Sequence, residues 1–316
     1  MIDTFLLILG LIVLIKGADL LVAGAGSIAA DLDVSPLVIG LTVVSFGTSM
    51  PEMLVTLVSG LQNNADLAIA NIIGSNIANV LLILGIAAII RPLPVQNSTV
   101  VSEIPFSLIA ALLVGFLANA ALFSDYRELS ISQLDGAILL FFFLLFMLYV
   151  YKISRENDQE GHPVSRLGRG RSLIYIVIGV AGLYLGGKFV VDGAVGLSVL
   201  LGVDDALIGL TVVAIGTSVP ELVASAVAAY RNQADIAVGN VVGSNIFNLL
   251  WVLGVTSSVV ELPFEVISNS DIVMMIVSSS LIILALASSR RHVILRTHGM
   301  VFVTLYALYI VYVSLR

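Results

Sequence analysis

About ten apolar segments, each long enough to cross a bilayer, follow one another along this chain of 316 residues. Only short polar breaks separate them, except for one longer polar stretch in the middle of the chain. A spanning helix needs about 20 predominantly apolar residues, and inside lipid its backbone polar groups must bond to one another. We therefore predict an all-α integral membrane protein with ten transmembrane helices, at approximately 4–28, 36–61, 67–90, 104–123, 134–153, 172–198, 206–230, 236–259, 270–289 and 293–314.

The composition agrees with a membrane protein, because 59% of the residues are hydrophobic and only 11% are charged. The formal net charge of -7 comes with no basic patch, so nothing indicates a nucleic-acid partner, and no protein partner is implied. Cysteine is absent, which excludes disulfides and thiolate metal sites. The first apolar stretch continues past Lys16 and Asp19 without a convincing cleavage site, so we expect it to remain as the first span.

The positive charges predict the orientation in the membrane. With ten spans both termini lie on one side, and the Lys and Arg residues of the short loops decide which side that is. Most of them fall on the side of the central polar stretch: Lys152, Arg155, Arg166, Arg169, Arg171, Arg91, Arg231, Arg290, Arg291 and Arg296. The opposite side has only Arg127 and Arg316. We expect a multi-pass protein of the inner (cytoplasmic) cell membrane with a cytoplasmic central loop and both termini outside.

Two segments in the first half of the chain recur in similar form in the second half, at a constant offset of 169 residues. GLTVVSFGTSMPE (40–52) matches GLTVVAIGTSVPE (209–221), and NIIGSNIAN (71–79) matches NVVGSNIFN (240–248). Between Val38 and Asn79, 22 of 42 positions are identical to those 169 further on, without a gap. This degree of identity indicates a duplication.

Each copy contains five spans, and because five is odd the second copy enters the membrane from the opposite side. The predicted organisation is a first five-helix repeat at 1–153, a cytoplasmic linker loop at 154–171 and a second, inverted five-helix repeat at 172–316. Inverted repeats are typical of secondary transporters, whose substrate site lies near the midplane where the repeats meet.

Glu52 and Glu221 lie about 16 residues into their spans, with no Lys or Arg near them in sequence. A carboxylate at that depth is energetically costly and marks a functional site by default. A single buried glutamate can also serve only to hold two helices together. The occurrence of the pair inside matching motifs favours a functional site.

The residues before each glutamate provide further oxygen atoms. Pro51 and Pro220 have no backbone N–H, so the carbonyls of Gly47 and Gly216 lose their helical donors. Irregular backbone at this depth is tolerated where it lines a cavity. Carbonyl and hydroxyl oxygens near the carboxylates come from Thr48, Ser49, Thr217 and Ser218. A proline kink with locally satisfied hydroxyls is the alternative for either motif alone.

The third and eighth spans contribute a serine and an asparagine each at helical i, i+4 spacing, Ser75 with Asn79 and Ser244 with Asn248. Every candidate ligand is an oxygen atom, which suits hard ions such as sodium and calcium.

Other charged residues inside the spans have local explanations. Lys16 with Asp19, and Lys188 with Asp192, have the i, i+3 or i, i+4 spacing of local ion pairs. Asp135, three residues after Ser132, is expected to cap the start of a helix.

GTSMPE with GSNIAN, and again GTSVPE with GSNIFN, resemble the two α-repeats of the sodium/calcium exchanger family, in the cation/calcium antiporter superfamily, most closely its small prokaryotic members. The resemblance covers essentially the whole chain. It implies one central calcium site and up to three sodium sites, with a long first and a long sixth helix that slide across the remaining eight.

The resemblance also assigns ligands by position. Glu52 and Glu221, with the carbonyls of Thr48 and Thr217, are expected to hold calcium. The sodium sites would use Ser49, Ser75, Ser218 and Ser244, with the backbone oxygens of Ser45 and Ala214. Asn79 and Asn248 would flank the centre. Many family members have aspartate at the position of Asn248, so this chain has two ionisable groups there instead of three. Potassium co-transport is therefore not expected, and the stoichiometry is left open.

The sequence thus predicts a secondary active antiporter, not an enzyme, that exchanges sodium for calcium by alternating access and needs no cofactor. A calcium/proton exchanger using the same two glutamates is the nearest alternative. An intramembrane hydrolase is disfavoured because the three histidines, His162, His292 and His298, lie in or near loops. A channel is disfavoured because it seldom needs inverted repeats.

Overall fold

A computed structural model of the chain describes residues 2–32, 34–123, 129–156, 167–200, 216–264, 269–289 and 291–315. Helices make up almost all of these ranges, and the strands within them are four segments of two residues each.

The helices of the first half are α1 (Ile2–Leu32), α2 (Pro36–Thr48), α3 (Met50–Leu61), α4 (Ala65–Ile90), α5 (Glu103–Ala118) and α6 (Gln133–Glu156). A short helical segment, Asn97–Val101, precedes α5, and a 3₁₀ turn, Ala120–Phe123, follows it. Those of the second half are α7 (Arg169–Leu200), α8 (Val219–Tyr230), α9 (Ala234–Val259), α10 (Asn269–Ser288) and α11 (Arg296–Leu315).

These helices coincide with the predicted spans. Within the described ranges, eight helices are long and apolar enough to cross a membrane, and the bent pair α2–α3 makes a ninth. The remaining predicted span, 206–230, which is the seventh in chain order, is represented by α8, and its residues 206–215 lie outside the described ranges.

The centre of the molecule is formed by α4 and α9. The most apolar windows of these two helices are 78% and 94% buried, against 11% for α11. Both helices widen into a π-helical segment, Asn79–Leu84 in α4 and Phe247–Val252 in α9, and α2 contains a third at Gly40–Val44. Because π-helical turns inside α-helices often mark functional sites, the repeated widening points to this central pair.

The two longest helices, α1 and α7, pack against each other along their length. Their contact is antiparallel, since Gly10 faces Gly186 whereas Gly24 faces Ser172. A Cβ atom added at Gly17 would lie 2.8 Å from the backbone nitrogen of Leu183, so glycine is needed there for the close approach. Small residues at such interfaces are characteristic of membrane helices whose backbones pack tightly.

Two short antiparallel sheets connect the repeats. β1 (Leu93–Pro94) pairs with β4 (Val293–Ile294), and β2 (Ser130–Ile131) pairs with β3 (Leu262–Pro263). β1 follows α4 and β3 follows α9, at equivalent positions of the two repeats. Each sheet therefore joins a loop of one repeat to a loop of the other, and the predicted topology puts both loops of each sheet on the same side.

The described charged residues inside the helices behave partly as predicted. Asp135 accepts hydrogen bonds from the backbone nitrogen and hydroxyl of Ser132 at 2.9 and 2.7 Å, which confirms its role at the start of α6. Asp19 forms its ion pair with Arg231, at 2.8 Å, so the expected local pair with Lys16 is wrong. The pair that exists ties α1 to the end of α8.

Candidate functional site

Both glutamates lie just beyond a break in a helix. Ser49, at φ -83° and ψ 7°, separates α2 from α3, which meet at 47°, and Ser218, at φ -89° and ψ 3°, precedes α8. Pro51 and Pro220 occupy the first turn of the following helix, where the missing N–H has no helical partner to lose. The irregular backbone expected before each proline is therefore present, at Ser49 and Ser218.

The two glutamate side chains are buried and bonded across the repeats. Glu52 is 1% exposed and Glu221 is 0% exposed. The hydroxyl of Ser49 donates to Oε1 of Glu221, and that of Ser218 donates to Oε1 of Glu52, both at 3.2 Å. Each carboxylate thus contacts the helix break of the opposite repeat. These crossed hydrogen bonds bring the two halves of the predicted site together.

The predicted residues of α4 and α9 form a second wall. All four are buried: Ser75, Asn79, Ser244 and Asn248. The hydroxyl of Ser75 lies 3.2 Å from that of Ser218. Nδ2 of Asn79 donates to Oδ1 of Asn245 at 3.0 Å, which joins α4 to α9. Asn79 opens one π-helical segment and Asn248 lies in another, so the widened turns carry these two amides.

Five buried oxygen atoms of the predicted ligands have no hydrogen-bond partner in the part of the chain that the structure describes. They are Oε2 of Glu52, Oε2 of Glu221, Oδ1 of Asn79, Oγ of Ser244 and Oδ1 of Asn248. A buried polar atom without a partner costs about 1–3 kcal/mol, more when it is charged. Bound cations would satisfy these oxygens.

The last two predicted ligands are the backbone oxygens of Ser45 and Ala214. Ser45 is buried, and its backbone carbonyl accepts from the backbone nitrogen of Ser49 at 3.0 Å and from the hydroxyl of Thr48 at 3.4 Å. Ala214 lies outside the described residues.

The threonine hydroxyls contact two asparagines that were not among the predicted ligands. Thr48 donates to Oδ1 of Asn240 at 3.1 Å, and Thr217 donates to Oδ1 of Asn71 at 3.4 Å. Each of these hydroxyls is therefore bonded to an asparagine of the opposite repeat. Both asparagines begin the repeated motifs NIIGSNIAN and NVVGSNIFN, so the duplication was the available signal for them.

The electrostatics of the site favour cations. Among the described residues, no Lys or Arg side chain is bonded to either glutamate, and the ion pair of Arg231 is with Asp19. The same residues contain no group of three or more His, Cys, Asp or Glu side chains that could hold a metal ion. Neutral oxygens must therefore complete the coordination of any ion, as hard cations with oxygen ligands allow.

The chain matches the family model described as sodium/calcium exchanger protein over residues 2–152 and 171–315. Inner membrane protein YrbG of Escherichia coli K12 is 38% identical over 79% of this chain and 78% of its own length. Sodium/calcium exchanger MaX1 of Methanosarcina acetivorans is 32% identical over 81% of this chain and 82% of its own length.

A solved structure of the sodium-calcium exchanger NCX_Mj, soaked with 10 mM Na⁺ and no Ca²⁺, superposes on this chain with a TM-score of 0.86 at 33% identity, covering 100% of this chain and 99% of that one. The agreement over the full length confirms the predicted fold class, an all-α membrane protein with two inverted repeats. The sequence motifs, the paired buried glutamates and these matches agree: the chain belongs to the sodium/calcium exchanger family and is a multi-pass cation/calcium antiporter rather than an enzyme.

Proposed function

We propose that this antiporter exchanges sodium for calcium by alternating access at Glu52 and Glu221. The observation that carries the proposal is the crossed arrangement of the two carboxylates. One oxygen of each carboxylate accepts a hydrogen bond from a serine of the opposite repeat, and the second oxygen has no partner among the described residues. A cation bound between them would therefore contact both repeats at once.

The proposed calcium ligands are the carboxylates of Glu52 and Glu221 and the carbonyls of Thr48 and Thr217. Two negative charges balance one calcium ion, and an all-oxygen environment suits this hard cation. The buried position also strengthens the attraction, because electrostatic interactions are larger away from water.

The proposed sodium sites add neutral oxygens to the two carboxylates. They use Ser45, Ser49, Ser75, Ala214, Ser218 and Ser244, with Asn79 and Asn248 flanking the centre. A proton exchanger needs only the carboxylates, whereas the oxygens of Asn79, Ser244 and Asn248 have no partner in the described part of the chain and suit an alkali cation. The names of the relatives, sodium/calcium exchanger MaX1 and the sodium-calcium exchanger NCX_Mj, support the same coupling ion.

Alternating access in this proposal depends on charge neutralisation. An empty site has two buried negative charges without counter-ions, and uncompensated buried charge is strongly unfavourable. The helix pair α1–α7 therefore moves across the site only when cations neutralise it. Sodium and calcium compete for the same oxygens, so the sodium gradient drives calcium in the opposite direction.

The division into a first repeat at 1–153, a linker at 154–171 and a second repeat at 172–316 belongs to the same proposal. So does an inner-membrane location with the linker in the cytoplasm and both termini outside. Support comes from the Lys and Arg distribution, from the pairing of loops across each sheet, and from the name of the inner membrane protein YrbG.

The decisive experiment is radiolabelled calcium flux in proteoliposomes under two separate gradients. An imposed sodium gradient at equal pH should accelerate calcium movement, and a pH gradient without sodium should not. The double variant Glu52→Gln, Glu221→Gln serves as the control for leak, since it keeps the size of both side chains. Flux that ignores the sodium gradient and follows the pH gradient would replace sodium by protons as the coupling ion.

A further inference from the structure

Asn71 and Asn240 begin the repeated motifs NIIGSNIAN and NVVGSNIFN. The side chain of each forms hydrogen bonds with residues of both repeats. Nδ2 of Asn71 donates to the backbone carbonyl of Glu52 at 3.2 Å and to Oγ1 of Thr56 at 2.9 Å. Its Oδ1 accepts from the hydroxyl of Thr217 at 3.4 Å. One side-chain amide therefore connects the turn that carries one glutamate to the helix break before the other.

Asn240 repeats this arrangement in the second half. Its Nδ2 donates to Oγ of Ser225 at 2.9 Å and lies 3.5 Å from the backbone carbonyl of Glu221. Its Oδ1 accepts from the hydroxyl of Thr48 at 3.1 Å. Asn71 and Asn240 are 169 residues apart, and both make the same set of three contacts. This repetition indicates that the contacts have a role in the protein.

The chemistry of the contact requires a side chain that donates and accepts at the same place. An asparagine amide does both, a carboxylate only accepts, and an aliphatic side chain does neither. Because the amide contacts the threonine through its hydroxyl, the asparagine does not compete with an ion for the threonine carbonyl. Each asparagine therefore links the backbone of one glutamate to a threonine of the opposite repeat.

We propose that Asn71 and Asn240 are positioning residues for the exchange reaction, which set the spacing of the calcium ligands across the repeat interface without touching the ion. This inference rests on the proposed function, because it takes Glu52 and Glu221 as the calcium ligands. Calcium draws on both carboxylates together, so its binding depends on how the repeats are aligned. A sodium ion needs less charge and depends on that alignment less.

The expected effect is selective for calcium. Removing groups that orient metal ligands typically lowers metal affinity or activity about 10–100-fold. Asn240→Leu and Asn71→Leu should therefore raise the calcium concentration for half-maximal flux by a factor in that range. The sodium concentration for half-maximal counter-flow and the maximal rate at saturating calcium should change much less. Equal losses for both ions, or a loss of maximal rate alone, would overturn the proposal.

A double-mutant cycle tests the partner assignment. Thr48→Val removes the hydroxyl and keeps the proposed carbonyl ligand. If the contact is real, Thr48→Val combined with Asn240→Leu should be little worse than the more severe single variant. Thr48→Val combined with Asn71→Leu, a pair that makes no direct hydrogen bond in the described structure, should instead multiply the two effects. Multiplication in both combinations would contradict the proposal.

The valine variants keep the test valid if an asparagine variant fails to fold. Thr48→Val and Thr217→Val should each raise the calcium requirement without changing the elution profile in detergent, and no effect on calcium from either would also overturn the proposal. The glutamine variants of Glu52 and Glu221 distinguish a failure of the positioning role from a failure of the proposed function. If they abolish exchange while the asparagine and threonine variants leave the calcium-to-sodium ratio unchanged, only the positioning role fails.

Discussion

Replacing Glu52 by glutamine tests the charge balance of the proposed site most directly. Glutamine has nearly the same size and retains an oxygen that can accept from Ser218, which lies 3.2 Å from Oε1 in the native side chain. The substitution therefore removes one negative charge and little else. With one carboxylate left, a bound calcium ion carries one uncompensated positive charge in a site that is almost fully buried.

The size of the effect follows from the cost of that charge. Breaking a buried charge pair by removal of one partner costs about 3–5 kcal/mol. At about 1.4 kcal/mol for each factor of ten, calcium binding should weaken by about two to four orders of magnitude. Sodium should lose less, because the remaining carboxylate balances one sodium ion. Ser218→Ala provides an intermediate value, since a hydrogen bond to a charged group contributes about 1.5–3 kcal/mol.

Calorimetric titration of the purified protein with calcium, in sodium-free detergent solution, measures these affinities. Glu103→Gln is the matched control. Glu103 is also fully buried, but it accepts from the hydroxyl of Tyr149 at 2.6 Å, and that contact survives the substitution. Calcium affinity should be unchanged in this control. If Glu52→Gln bound calcium within a few-fold of the unmodified protein, the idea that charge balance sets calcium binding would be refuted.

Three further predictions concern the parts of the molecule around the site. Asp19→Asn should change the exchange rate by no more than about fivefold, because a partly exposed ion pair contributes about 0.2–1 kcal/mol, and a charge swap with Arg231 should restore the rate in flux assays. Gly17→Val should lower the melting temperature and abolish exchange together, because any Cβ there meets the backbone of α7; a fully active Gly17→Val variant would contradict the packing. Since the chain has no native cysteine, single cysteines introduced at Ser154 and Gln62 can report the orientation in the membrane through impermeant labels. In the proposed topology, Ser154→Cys is labelled only from the cytoplasm and Gln62→Cys only from outside.

The sequence allowed the spans and the helix breaks to be predicted because both depend on local properties. The length of an apolar segment determines a span, and a proline removes a backbone donor wherever it stands. Duplication supplied the remaining information, since a pair of matching glutamates in an inverted repeat must come from opposite directions. This is why Glu52 and Glu221 were found together without any knowledge of packing.

The contacts that could not be predicted all depend on tertiary structure. Ser49 bonds to the glutamate of the other repeat rather than to its own, and Asp19 pairs with Arg231 rather than with the nearer Lys16. The π-helical segments add a residue to a turn, and nothing in the hydropathy pattern indicates that. The contact between Asn240 and Thr48 joins residues 192 positions apart, so the motif marked the asparagine as important but could not identify its partner.

The two small sheets have a consequence for how transport can be tuned. Backbone hydrogen bonds extend beyond the paired strands, from Val95 to His292 and from Phe264 to Leu129, both at 2.9 Å, so each sheet fastens one repeat to the other. Under the proposed mechanism, a core fastened in this way would keep the proposed ligands of α3, α4, α8 and α9 at constant mutual distances while α1 and α7 change position. In that case the fastened core determines which ions are preferred, and the movement of α1 and α7 determines the turnover rate. Evolution can adjust the speed of such an exchanger through residues of α1 and α7 without altering which ions it accepts.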